Sequence, residues 1–253
     1  MAANLEVLFA PAEFAALAQR DLSRTTCVVF DILRATSTIV TALANGADAV
    51  VPVSEIPEAL AYRRNHSECL LAGERKGHRI CAELTGGIDF DLGNSPREFT
   101  NANIRGKTIV LSTTNGSRAL RACAHARTIL VGSFLNLSAT ADFLARNVTA
   151  DLLLVCSGTG KESSYEDVLG AGALVELLQP HFPAEHIADS AITALHIYQK
   201  HSDDLNGAVT HCRNGRRLMA LPELREDVAW CLQRNIYSLV AKMENGSIRR
   251  LEV

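Results

Sequence analysis

Three observations predict a layered α/β/α fold with a largely parallel or mixed central sheet. First, a unit of apolar strand, polar turn and helix recurs, with its turns at Asp31, Thr113, Ser133 and Ser157. Such units in succession build a largely parallel sheet covered by helices. Second, the strand portions (Cys27–Phe30, Ile109–Leu111, Thr128–Val131, Leu152–Cys156) are short apolar runs without alternation, the pattern of strands buried on both faces. Third, hydrophobic residues make up 47% of the chain and charged residues 21%, which suits a large packed core. Residues 1–253 are read as a single α/β unit, with two lobes sharing one active-site cleft as the other arrangement.

In chain order, Leu5–Phe9 is a short strand, and Pro11 opens a helix with Phe14, Leu17 and Ala18 on one face. Strand Cys27–Phe30 ends at Asp31, and the helix beyond Arg34 runs through Ile39 and Leu43 to Gly46, a suitable residue just past a helix end. Ala49–Val53 is a strand, Ser54–Arg64 a helix, and Cys69–Arg75 a strand entering a Gly-Glu-Arg turn. Gly77–Pro96 lacks periodicity, and Gly86–Pro96 reads as a long functional or mobile loop. Ser133 and Asn136 introduce a helix bearing Phe143 and Leu144. Ser163 with Glu166, and Ser164 with Asp167, have the spacing of a capping box before the helix Val168–Leu178. Gly170 and Gly172 weaken that helix, so close packing or close ligand approach is expected there. Ser190–Lys200 and the segment around Leu224, Val228 and Cys231 are further helices, and Ile248–Val253 reads as an edge strand.

The balance of 25 basic and 28 acidic residues, net −3, argues against nucleic acid as a partner. The uncharged run Thr128–Ala141 is too short and too polar to span a membrane, and no signal peptide is expected. The 7 cysteines are dispersed without a Cys-x-x-Cys pair, which suits reduced thiols in the cytoplasm.

Ligands of open α/β sheets bind beyond the carboxyl ends of strands. There Thr113, Thr114, Asn115 and Gly116 could surround a phosphate with donors, and the helix start adds N–H groups, although the same residues also suit a plain turn and cap. Asp31 could hold a metal or act on phosphorus, and Arg34 could grip an anion; the alternative is a surface Asp31–Arg34 pair of little energetic weight. Glu74 and Arg75 place an acid and a cation at another strand end. Cys69 and Arg75 have the spacing of cysteine-dependent phosphatases, but Leu70-Leu71-Ala72 between them reads as strand rather than cradle. The Ser157–Lys161 turn is rich in glycine and hydroxyls but lacks the Walker spacing.

Taken together, Asp31-Ile-Leu-Arg-Ala-Thr36, Gly73-Glu-Arg75, Phe90–Pro96, Thr113–Gly116, Val131–Ser133 with Asn136, and Ser157–Gly160 followed by Glu166-Asp167 resemble the 2-phosphosulfolactate phosphatase family. Ser117 and Ser163-Ser-Tyr165 depart from its pattern, which has Thr at the first position and an apolar start at the second. The resemblance implies an α/β homo-oligomer, a dimer or higher. It also implies Mg²⁺-dependent hydrolysis of 2-phosphosulfolactate, or a related phosphorylated small acid, to sulfolactate and phosphate, a step toward coenzyme M. On that reading Asp31, Glu74 and one of Glu166 or Asp167 hold the metal. Arg34 and Arg75 hold the substrate's anionic groups, and Asn94, Ser95, Thr113, Thr114, Asn115, Gly116, Ser157 and Gly158 line its site. Leu33 stands where aspartyl phosphatases of the haloacid-dehalogenase type carry a second Asp, so attack by water is favoured over attack by Asp31. The alternatives are a non-catalytic binding protein for a small phosphorylated or sulfonated acid, and a lyase using the same metal site.

Overall fold

The computed structural model describes residues 3–147 and 151–251. Ten strands, β1 (Leu5–Leu8), β2 (Thr25–Phe30), β3 (Ala49–Val53), β4 (Leu70–Arg75), β5 (His78–Arg79), β6 (Thr108–Ser112), β7 (Thr128–Gly132), β8 (Asp151–Cys156), β9 (Val240–Glu244) and β10 (Ser247–Leu251), form one mixed sheet. Its order is β1-β8-β2-β7-β9-β10-β3-β6-β4-β5. The strands β1, β8, β2 and β7 are mutually parallel, as are β3, β6 and β4. Between these groups the joins β7–β9, β9–β10 and β10–β3 are all antiparallel, so the two parallel groups point in opposite directions.

An opposed pair of groups would put their carboxyl ends at opposite rims of a flat sheet. Sheets are not flat: neighbouring strands rotate by roughly 20–25°, so the five steps from β2 to β6 turn the strand direction by roughly 100°. The two groups thereby curl about a shared interior, and the turn after β2 meets the turn after β6. Helix α1 (Ala35–Ala44) fills that interior, with every residue from Ala35 to Leu43 buried. Its Ile39, Val40 and Leu43 pack with Cys27, Val29, Val50, Ile109, Leu111, Val131 and Ala241, drawn from both groups and the hairpin between them. A smaller cluster around Leu71, Phe90 and Val110 lies beside helix α2 (Ile56–Asn65).

The next helices in chain order are α3 (Gly116–Ala122), α4 (Leu137–Arg146), α5 (Tyr165–Leu178) and α6 (Asp189–His201). On the other face of the first group, α5 and α6 join Phe30, Ile32, Leu130 and Leu154 in the largest core. Close packing accounts for both glycines of α5. A Cβ on Gly170 would lie 2.9 Å from Ile32 Cδ1, and one on Gly172 would lie 2.1 Å from the Ala194 carbonyl of α6. Helices α7 (Leu205–Thr210), α8 (Arg213–Met219) and α9 (Arg225–Cys231) complete that side.

Three expectations are corrected. The C-terminal strand, read as an edge over 248–253, is interior: β10 lies between β9 and β3, and residues 252 and 253 lie outside the described residues. The Asn245-Gly246 turn of its hairpin, with φ of 49° and 79°, is the two-residue pattern that most strongly marks a hairpin. It predicts β9, whose partly charged sequence hides it. The Gly86–Pro96 loop is pinned rather than mobile: Leu92 and Gly93 exchange backbone bonds with Leu71 and Gly73 along β4, and Phe90 is buried. Neither capping box forms: Ser164, the residue just before α5, makes no side-chain cap and bonds Thr159 instead, and Ser163 lies one residue outside the cap position.

Candidate active site

Asp31 directly follows β2 and is 8% exposed. Its N–H donates to Thr36 Oγ1 at 3.0 Å, and its Oδ1 accepts the Ala35 N–H at 3.3 Å, so the first turn of α1 fixes it. Its Oδ2 faces Gly116, where an added Cβ would sit only 2.9 Å away. The turn after β6 therefore has glycine where the carboxylate must approach it. Asp167, at the start of α5, closes the other side. Its Oδ1 accepts the Ile32 N–H at 2.8 Å, and its Oδ2 accepts the Ser157 hydroxyl and Gly158 N–H at 3.1 Å each. Gly158 takes a φ of +62°, a conformation L side chains rarely adopt.

The electrostatics of this pair are adverse in the absence of a cation. Burial, then the neighbouring Glu166 and Glu74 carboxylates, push the Asp31 carboxyl up to about 6, against the Ala35 N–H and Ser157 hydroxyl, which favour its charge. Burial, Glu166 and Asp31 push Asp167 well above the usual carboxylate range. Two buried acids, both pushed up by burial and by neighbouring carboxylates, favour a positive charge beside them. Among the described residues no three His, Cys, Asp or Glu side chains form a ready metal cage. Mg²⁺ does not require one: it keeps several waters and takes one or two carboxylates plus substrate oxygens. The oxygen-only set of Asp31, Asp167 and Ser157 fits that habit.

Glu166, adjacent in sequence, faces elsewhere. Its Oε1 accepts Asn214 Nδ2 at 2.6 Å and its Oε2 the Cys212 thiol at 3.2 Å, at the wall of a cavity of about 880 Å³ lined mainly by apolar groups such as Phe9, Val168 and Ile197. Burial, then Glu166, push the Cys212 thiol up to about 12.

The remaining candidates divide. Asn115 reaches the turn after β8, its Oδ1 within 3.4 Å of both Gly160 N and Arg118 Nη2. Glu74 stands near Asp31, and its Oε2 accepts the Gly77 N–H at 2.7 Å. Thr113 turns its hydroxyl to Ser117, and Thr114 is exposed. Thr38 Oγ1 donates to the Asn94 carbonyl, while the buried Asn94 Oδ1 has no hydrogen-bond partner. Arg34 does not pair with Asp31. It is 3% exposed, donating to Asp227 Oδ2 at 2.7 Å and to the Gly77 carbonyl at 2.9 Å. Ser95 likewise donates to Asp227, at 2.7 Å. Arg75 donates to the Glu74, Ser54 and Ser112 carbonyls and to Ser112 Oγ. Cys69 precedes β4 and Arg75 ends it, so an entire strand separates the two; burial raises the thiol.

A family profile described as 2-phosphosulpholactate phosphatase matches residues 14–246. The chain belongs to that family. The family name is that of a phosphoric monoester hydrolase. Among its relatives, a protein of Caldanaerobacter subterraneus subsp. tengcongensis described as a probable 2-phosphosulfolactate phosphatase is 38% identical over 91% of this chain and 92% of its own. Proteins with the same description from Clostridium acetobutylicum and Thermotoga petrophila are 38% and 40% identical, over 88% and 87% of this chain and 91% and 90% of theirs. The segment that carries the phosphatase-family match includes every candidate above. It also includes residues that sequence reasoning passed over. Asp227 is fully buried between Arg34, Ser95 and Arg97, and Asn214 and Cys212 grip Glu166. All three lie in the C-terminal third, where only helical periodicity was legible. Among the described residues no helix is long and apolar enough to cross a membrane.

Proposed function

We propose that this protein hydrolyses 2-phosphosulfolactate, or a related phosphorylated small acid, to sulfolactate and inorganic phosphate, with Mg²⁺ as cofactor. The observation that carries the reading is the buried Asp31–Asp167 pair, held between the turns after β2, β6 and β8, with neither carboxylate in an ion pair among the described residues. Asp31 and Asp167 would hold the ion, which when bound supplies positive charge to the phosphoryl oxygens and to the attacking water. The chain's own part is to fix these two carboxylates: α1 holds Asp31 through Ala35 and Thr36, and the Ser157–Gly158 turn holds Asp167. Leu33, 6% exposed, leaves no second acid two residues after Asp31, which supports direct attack by water. Homo-oligomer assembly and a cytoplasmic location belong to the same proposal, supported by the family resemblance and by seven unpaired cysteines. The test is release of inorganic phosphate from 2-phosphosulfolactate with and without Mg²⁺. Phosphate release that requires the metal supports the proposal, whereas binding of the ester without release would make the protein a binding module.

A further inference from the structure

We infer that Arg118 is the guanidinium that binds the substrate's phosphoryl group. The inference deepens the phosphatase reading and rests on it for the identity of the substrate, but not for the anion site itself. Three candidate arginines differ in how far their donors are already engaged. Arg34 is committed to Asp227 and the Gly77 carbonyl. Arg75 is committed to three backbone carbonyls and one hydroxyl of its own surroundings. Arg118 is not so committed. Its Nη2 donates to the Gly160 carbonyl at 2.7 Å and reaches Asn115 Oδ1 at 3.4 Å. Its Nε is buried and has no hydrogen-bond partner. Among the described residues its Nη1 has no acceptor in the protein, and no carboxylate lies within ion-pair distance of it.

A buried unpaired donor in a native fold calls for a ligand or a water to complete it. An arginine with free Nε–H and Nη–H groups presents a planar fork that matches two oxygens of a phosphoryl group. The placement agrees. Its bond to Gly160 ties the Arg118 guanidinium to the turn whose Gly158 and Ser157 hold Asp167, and the start of its own helix, Gly116, packs against Asp31 Oδ2. The guanidinium thus links the two turns that flank the carboxylate pair. A phosphoryl group taken up by this guanidinium would lie beside the turn that holds Asp167.

The test uses inorganic phosphate as probe, with the dissociation constant measured by calorimetry at fixed ionic strength for the wild type, Arg118→Met and Arg118→Lys. Arg118→Met should weaken phosphate binding by about tenfold or more, the loss expected for charge-assisted hydrogen bonds. Arg118→Lys keeps the charge and loses the fork, so it should fall in between. Added guanidinium ion should restore part of the binding to Arg118→Met, which repair of a merely structural bond would not do. Phosphate bound equally well by the wild type and both variants would overturn the inference. Should the methionine variant fail to fold, the lysine variant decides: unchanged affinity overturns the assignment, and a several-fold loss supports it. A wild type that binds phosphate through Arg118 yet releases none from 2-phosphosulfolactate would remove the proposed function and leave the phosphate site standing.

Discussion

Glu166 and Asp167 are neighbours in the chain and open the same helix, yet they serve different surroundings. Successive residues on a helix point about 100° apart. Asp167 therefore faces the Asp31 turn, where among the described residues every partner is a backbone N–H or a hydroxyl and no ion pair forms. Glu166 faces the apolar cavity beyond α5 and is gripped by Asn214 and Cys212. A third acid, Asp227, completes the contrast. It is as buried as Asp167 but is neutralised by Arg34 at 2.7 Å and Arg97 at 2.8 Å. Burial is common to all three acids; what differs is the partners, which are N–H and hydroxyl donors for Asp167, an amide and a thiol for Glu166, and two guanidinium groups for Asp227.

The largest effect is expected where the carboxylate lacks a cation. Asp167→Asn should lower phosphate release by roughly 10²–10³, the range for removing one electrostatic group from a reacting centre. Glu166→Gln, which faces the cavity, should lower it by less than about tenfold. Equal losses in steady-state assays would erase the distinction between the two faces of α5. In stability the order reverses. Asp227→Ala leaves Arg34 buried without a counter-charge and should cost about 3–5 kcal/mol in denaturant unfolding; a cost near zero would show that Arg34 finds other partners.

Acidity sharpens the comparison further. The Asp31 carboxyl, raised from 3.8 to about 6 by burial and the Glu166 and Glu74 charges, holds a proton in the folded protein over a window where the unfolded chain has released it. Within that window the unfolded state binds fewer protons, so the Asp31 contribution to the stability of metal-free protein falls as pH rises from about 4 to about 6. Asp31→Asn should flatten this slope and raise the melting temperature at neutral pH, a gain in stability for a loss of function. Melts of both proteins at several pH values check this, and parallel curves would contradict it. The smallest effect belongs to Cys69, which lies a strand's length from the Arg75 end of β4: Cys69→Ser should leave turnover within about twofold, with a folded but inactive variant pointing back to thiol chemistry.

Much of the fold was legible because its strands are uninterrupted apolar runs and its turns are rich in Gly, Ser, Thr and Asn. The opposed direction of the two parallel groups was not, since it depends on the β9–β10 hairpin, and β9 shows a Lys and a Glu where a buried strand would show apolar residues. At the site, Asp31, Gly116, Ser157 and Asp167 stood at strand-to-helix breaks, where chain topology points side chains at a shared cleft. Arg34 and Ser95 occupied equally suggestive positions, but their partner Asp227 is more than 130 residues away from either, a pairing that no local pattern encodes. Arg118 was hidden for a related reason: what distinguishes it is a buried Nε with no acceptor among the described residues, which only three-dimensional accounting reveals.

On the proposed reading Asp31, with Asp167, forms the reacting centre and holds its cation. The most direct measurement is phosphate release by Asp31→Asn across a Mg²⁺ titration, with thermal melting as the folding control. The account predicts that turnover and apparent Mg²⁺ affinity fall together in a protein that stays folded. Near-wild-type turnover at ordinary Mg²⁺ would remove Asp31 from the centre and contradict the account.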